Sequence, residues 1–217
     1  REPKTDSAAD KAAAQRSMEF FMGWFADPIY LGAYPEVMHE RVGDRMPRFS
    51  DEDIALVKDS SDFCGLNHYT GMYAAEPAEG ENITIGAPAG NGGMAEDQLV
   101  ELSEDPTWEK TGMNWNILPW GCRKMLKWID ERYDHPPIYI TENGYAANDE
   151  GDLSVAINDD RRIGLVNGYL EACHQSINED GVDLRGYFLH VDFATGKRTP
   201  KKSAGWYAGV MARNGLE

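Results

Sequence analysis

A carboxylate that directly follows an apolar strand, with a chain-turning Asn-Gly after it, is held rigidly at the mouth of a cleft. Glu142 has that setting, with Ile138-Tyr139-Ile140-Thr141 before it and Asn143-Gly144 behind it. Such a group suits three kinds of chemistry: general base, metal ligand or covalent nucleophile. The alternative is a strand-terminating Glu that caps the following loop. A second run, Asp62-Phe63-Cys64-Gly65-Leu66, also ends in polar groups, Asn67-His68-Tyr69. Functional groups at strand ends are what a fold of βα units offers, because its reactive residues collect where the strands finish.

Other chemistries are disfavoured. The five His (His39, His68, His135, His174, His190) make no HExxH or HxH pattern and no CxxC occurs, so no zinc site is expected. Gly196-Lys197 superficially resembles a phosphate loop, but Val191 stands where its first Gly belongs and Arg198 where Ser or Thr belongs. Across 217 residues there are 21 Lys+Arg against 37 Asp+Glu, a net charge of −16. That acid excess disfavours a phosphate-tracking nucleic-acid binder and docking on anionic membranes. No apolar run approaches the roughly twenty residues of a membrane span. The N-terminal Arg1-Glu2-Pro3-Lys4-Thr5-Asp6 has no apolar core of a signal peptide. Three Cys (Cys64, Cys122, Cys173), odd in number and far apart, suggest buried thiols in a reducing compartment, so a cytoplasmic location is expected. With 41% hydrophobic residues the chain can build a core.

The elements that must position these residues are legible as periodicity. Ser7 with Asp10 resembles a helix-opening capping box. Ala14, Met18, Phe21 and Phe25 then recur as one buried helical face, and Asp27-Pro28 is expected to stop that helix. Residues 29–49 read as an ordered, irregular connection. Ser50-Asp51-Glu52-Asp53 opens a short helix through Lys58. The strand of residues 62–70 follows. Residues 74–113 then read as a long loop rich in Gly, Glu and Pro, with one glycosylation-type triplet, Asn82-Ile83-Thr84. Leu118, Cys122, Met125 and Ile129 mark a helix closing near Tyr133. Pro136-Pro137 leads into the strand at 138–141. Ile163, Val166, Leu170, Cys173 and Ile177 stripe a longer helix. A third strand runs from Val182 to about Val191, Lys197 to Pro200 forms a basic turn, and a last helix starts at Ser203. Strands alternating with helices predict an α/β fold with a parallel sheet covered on both faces.

Pro137-Ile138-Tyr139-Ile140-Thr141-Glu142-Asn143-Gly144 resembles the nucleophile signature of family 1 glycoside hydrolases, the β-glucosidase family. Further stretches resemble the same family in the same order. They are Trp24 to Tyr30 with Tyr34-Pro35, Asp62 to Thr70, Trp115 to Gly121, Asp180-Gly181-Val182 with Gly186-Tyr187-Phe188, and Lys197 to Ala204. The resemblance implies a (β/α)8 TIM-type barrel, here incomplete, covering roughly the last three strands and four helices as one domain over 1–217. It implies a retaining β-glycosidase for terminal β-linked glucosides or galactosides, whose two carboxylates stand about 5–5.5 Å apart. By that likeness Glu142 is the nucleophile, Tyr69 the phenol that positions it, and Asn67 a residue lining the sugar site. His68 is expected to be a packed core residue. The long loop would form part of the wall that selects the aglycone. No cofactor and no metal are implied.

The chain also departs from the family pattern. It contains no Asn-Glu-Pro, the motif that carries the acid/base Glu, and its first residues resemble the segment after the fifth barrel strand. Phe188 runs straight into Leu189-His190-Val191-Asp192-Phe193, skipping the stretch whose side chains grip sugar hydroxyls. Leu216-Glu217 is compatible with a cloning remnant. The expected partners are therefore a β-glucoside and the missing N-terminal half of the barrel. The rival expectation is an inert barrel fragment or a carbohydrate-binding scaffold.

Overall fold

The computed structural model describes residues 1–78, 93–147, 157–187, 202–213 and 215. Several expectations lie outside these residues: the Asn82-Ile83-Thr84 triplet, the far end of the third strand and the skipped stretch from Phe188, the turn from Gly196 to Pro200, and Leu216-Glu217.

The chain divides into two compact units, residues 1–62 with 71–107, and residues 63–70 with 108–217. In the first, β1 (Glu2–Pro3) leads into α1 (Ala8–Met18), capped by the Ser7 hydroxyl, which accepts the Asp10 N–H at 3.0 Å. A π turn over Glu19–Gly23 joins α1 to α2 (Trp24–Tyr30). Then come α3 (Glu36–Val42) and α4 (Asp51–Val57), the latter opened by the reciprocal capping box of Ser50 and Asp53. β2 (Cys64–Asn67) belongs to the second unit, whereas β3 (Tyr73–Ala75), α5 (Met94–Asp97) and β4 (Glu101–Ser103) return to the first. β3 sits centrally in a three-stranded sheet, parallel to β1 and antiparallel to β4.

The expected helical face is corrected at the π turn. Ala14 and Met18 are buried, but Phe21 is 57% and Phe25 68% exposed. A π turn takes in one extra residue, so every later position shifts by one. Ala26, not Phe25, is buried, and Met22 is half-buried where Phe21 was expected. Nor does Pro28 stop the helix, which runs on to Tyr30 and turns off at Gly32, where φ is +80°. The connection expected over 29–49 contains α3, whose Met38 packs with Phe20 and Met46. The stretch expected as a loop over 74–113 carries a strand end, α5 and β4. They are held by Arg16, whose guanidinium donates to the carbonyls of Gln98 (2.6 Å) and Leu99 (2.7 Å) and to Glu76 (2.7 Å). A buried cation must be fully partnered, so Arg16 ties these segments to α1.

The second unit is built on β2, β5 (Ile138–Glu142) and β6 (Leu184–Tyr187), all parallel, in the order β2-β5-β6. Parallel neighbours need crossovers, and the helix before β5 is α6 (Pro119–Arg132), while α7 (Asp160–Asn178) joins β5 to β6. α8 (Lys202–Arg213) follows. Cys64, Leu66, Ile138 and Ile140 are buried, whereas Gly65, Asn67 and Thr141 between them are exposed. One face of this sheet is thus covered, and the expectation of cover on both faces is corrected. The helical stripes also differ in detail. On α6 Leu126 is buried and Met125 only partly. On α7 the buried face is Leu165, Val166, Tyr169, Ala172, Cys173 and Ser176, leaving Ile177 45% exposed.

Candidate functional site

Strict alternation along β5 would place Glu142 with Ile138 and Ile140 on the covered face. It does not, because the β2–β5 pairing slips by one residue: Leu66 stands opposite Ile140, but Asn67 stands opposite Glu142. Thr141 is the extra residue, and such a bulge re-aims the side chains beside it. Thr141 and Glu142 consequently serve the same side. Thr141 Oγ1 donates to Asn67 Oδ1 at 2.7 Å, and the Tyr69 hydroxyl donates to Glu142 Oε2 at 2.8 Å. Asn67 and Tyr69, two apart on one strand end, face the same way. All three candidates from the sequence therefore meet at one end of one sheet, within the second unit.

The electrostatics follow from this geometry. Burial, then the hydrogen bond to Glu142 and its charge, push the Tyr69 phenol up to about 12. Tyr69 remains a protonated donor through the neutral range, aimed at one carboxylate oxygen, Oε2. His68, between the two strand-end residues, is half-buried beside Tyr169, with ring centroids 5.8 Å apart. Burial lowers its pKa to about 4, and its Nδ1 is sealed from solvent without a hydrogen-bond partner. A neutral imidazole of this kind packs against Tyr169. Its backbone does the structural work, with the His68 N–H donating to the Glu142 carbonyl at 2.9 Å.

Two neighbours had no assigned role from sequence. Trp115 lies 5.2 Å from Tyr69 between ring centroids and is 36% exposed, an apolar wall beside the carboxylate. Its stretch belongs to a resembling motif, but nothing in its spacing brings it to Tyr69. Asn143, read from sequence as a turn residue, is 1% exposed and hydrogen-bonded to both adjoining strands. Among the described residues no group of three or more His, Cys, Asp or Glu is placed to hold a metal ion, and Cys64, Cys122 and Cys173 are buried free thiols.

A carboxylate that accepts a phenol's hydrogen bond thus stands near an aromatic wall at the end of a parallel sheet. Comparison with known proteins identifies the family. The family model described as glycosyl hydrolase family 1 matches residues 1–190. Beta-glucosidase 4 of Oryza sativa subsp. japonica is 36% identical over 244 residues, covering 100% of this chain and 49% of that protein. Beta-glucosidase 42 of Arabidopsis thaliana is 36% identical, covering 95% of this chain and 46% of its own length. Among solved structures, a rice β-glucosidase superposes with a TM-score of 0.83 at 35% identity, covering 95% of this chain and 48% of its own. β-Glucosidase 2 of the fungus Trichoderma reesei, in complex with Tris, gives 0.82 at 35% identity over 99% of this chain and 50% of its own. The chain spans about half the length of the relatives that it matches.

Proposed function

Since the chain belongs to glycosyl hydrolase family 1, whose structures are (β/α)8 barrels, we propose that it is the C-terminal part of a retaining β-glycosidase for terminal β-linked glucosides or galactosides. Glu142 attacks the anomeric carbon, and the bond from that carbon to the aglycone oxygen breaks as the ester to Glu142 forms. Water then displaces the carboxylate and releases the sugar with its original configuration. Tyr69 holds one carboxylate oxygen so that the other is aimed, Asn67 lines the sugar site, and Trp115 offers an apolar face to the ring. The observation that carries this reading is the 2.8 Å hydrogen bond from Tyr69 to Glu142 across a bulge that turns the carboxylate away from the covered face.

The departing oxygen needs a proton, and the sequence has no Asn-Glu-Pro to supply one. A general acid contributes about 10²–10⁴-fold in rate, so efficient turnover requires the N-terminal half as a partner. Esterification alone does not, provided the leaving group is activated. A 2-deoxy-2-fluoroglucoside with a dinitrophenyl leaving group should therefore add one fluoroglucosyl mass to the peptide containing Glu142, and Glu142→Gln should abolish it. Labelling on another residue, or none even with the N-terminal half added, refutes the nucleophile. The second reading is a carbohydrate-binding scaffold without catalysis, favoured by the run from Phe188 straight into Leu189-His190-Val191-Asp192-Phe193, which skips the sugar-gripping stretch; sugar binding without esterification would establish it.

A further inference from the structure

Behind the Tyr69–Glu142 pair lies a buried polar cluster that the proposed chemistry does not use. Asn143 Nδ2 donates to the His68 carbonyl at 2.6 Å, and Asn143 Oδ1 accepts the Tyr187 hydroxyl at 2.6 Å. The Tyr169 hydroxyl accepts the Leu118 N–H at 3.4 Å and lies 3.5 Å from the Tyr69 carbonyl. Asn143 is 1% and Tyr169 0% exposed. The cluster joins the ends of β2, β5 and β6 with α7, beginning at the residue next to Glu142.

Its logic follows from the bulge. In a parallel ladder, bonds alternate evenly between the strands. The His68 N–H makes its bond to the Glu142 carbonyl at 2.9 Å. The next link would bring a backbone N–H of β5 to the His68 carbonyl. Past the bulge that carbonyl instead takes the side-chain amide of Asn143, which thereby prolongs the β2–β5 pairing by one step. His68 lies between Asn67 and Tyr69, so fixing both its N–H and its carbonyl fixes where Tyr69 leaves the strand. We propose that Asn143 is a positioning residue, a side-chain rung that holds Tyr69 in register with Glu142, with Tyr187 orienting the amide. For its catalytic consequence this rests on Glu142 being the nucleophile; the positioning itself does not.

The test uses the full chain with ¹³Cζ-labelled tyrosine, the Tyr69 signal being assigned from Tyr69→Phe. Its ionisation is followed by NMR to the alkaline edge of the folded state. In Asn143→Ala the Tyr69 phenol should ionise at lower pH than in the unsubstituted chain, because it loses the hydrogen bond and charge of Glu142 while the part of the rise due to burial stays. Tyr187→Phe, which removes only the hydroxyl that orients the amide, should produce a smaller move in the same direction. Inactivation by the fluoroglucoside should slow roughly 10- to 100-fold in Asn143→Ala, as a small misplacement does, with little change in the half-saturating concentration. Unchanged Tyr69 ionisation in both variants overturns the proposal. If Asn143→Ala fails to fold by circular dichroism, Tyr187→Phe decides by the same criterion. Failure of the unsubstituted chain to be esterified even with the N-terminal half added counts against the nucleophile, while Tyr69 ionisation still decides the role of Asn143.

Discussion

At the scale of the residue, Glu142 owes its usefulness to Tyr69. A hydrogen bond to a charged partner contributes about 1.5–3 kcal/mol, so Tyr69→Phe should slow esterification of Glu142 roughly 10- to 100-fold. An equal rate in the variant would remove Tyr69 from the site. His68 gives a prediction about stability. Its pKa falls from 6.5 to about 4 on burial, so between those values the unfolded chain binds a proton that the folded chain does not. Stability from this residue is complete above pH 6.5 and is lost as the pH drops towards 4. Thermal midpoints measured across that window should decline, and His68→Phe should flatten the decline. An identical slope in the variant would show that other groups control it. The Tyr69 phenol has the opposite sense: raised from 10 to about 12, it contributes below pH 10 and the contribution fades as the pH climbs through 12.

At the scale of the element, β5 carries the site because it is the middle strand of β2-β5-β6. Ile138 and Ile140 are each 0% exposed, and their burial anchors the strand whose end bears Glu142. Truncating such a side chain removes transfer energy and leaves a cavity, so Ile140→Ala should cost about 2–5 kcal/mol in denaturant titrations. A loss below about 1 kcal/mol would mean that the sheet relaxes around the gap and does not fix the site. α6 and α7 are joined by Arg123, which grips Asp180 at 2.6 and 3.0 Å and Glu179 at 2.8 Å at the end of α7. Their types and approximate limits were readable from 3.6-residue spacing. Their buried faces were less so. The stripe on α7 centres on Tyr169, whose hydroxyl joins the polar cluster below the site, a use that hydrophobic spacing cannot announce. The π turn after α1 is similarly silent in the sequence, yet it moves burial from Phe25 to Ala26.

At the scale of the whole molecule, the described strands form two open sheets. β2 and β6 leave the edges of one unsatisfied by further strands, and Phe63 on that sheet's uncovered side is 47% exposed. On the other unit, Phe21, Trp24 and Phe25 are 57%, 37% and 68% exposed. Open strand edges and aromatic patches favour association. Adding a separate polypeptide that spans the N-terminal half of a family 1 barrel should therefore slow amide exchange in β2 and β6 and shield the aromatic patch from solvent quenchers of Trp fluorescence. It should also restore turnover of unactivated β-glucosides. No change in exchange would mean that these surfaces are finished as they stand.

What the sequence determined by itself was the family, together with a set of candidate residues. Glu142 after an apolar strand, Tyr69 and Asn67 at another strand end, and the motifs around them are local patterns, and local patterns survive in one dimension. The parallel sheet also follows from strand–helix alternation. Tertiary structure alone decided that the carboxylate meets the phenol. Period-two alternation turns Glu142 towards the helices, and only the one-residue slip between β2 and β5 reverses it. That slip depends on pairing between residues some seventy positions apart; the bond of Asn143 to His68 spans 75 positions and that of Tyr187 to Asn143 spans 44. Register across strands is a property of the packed sheet, with no counterpart in the spacing of either strand.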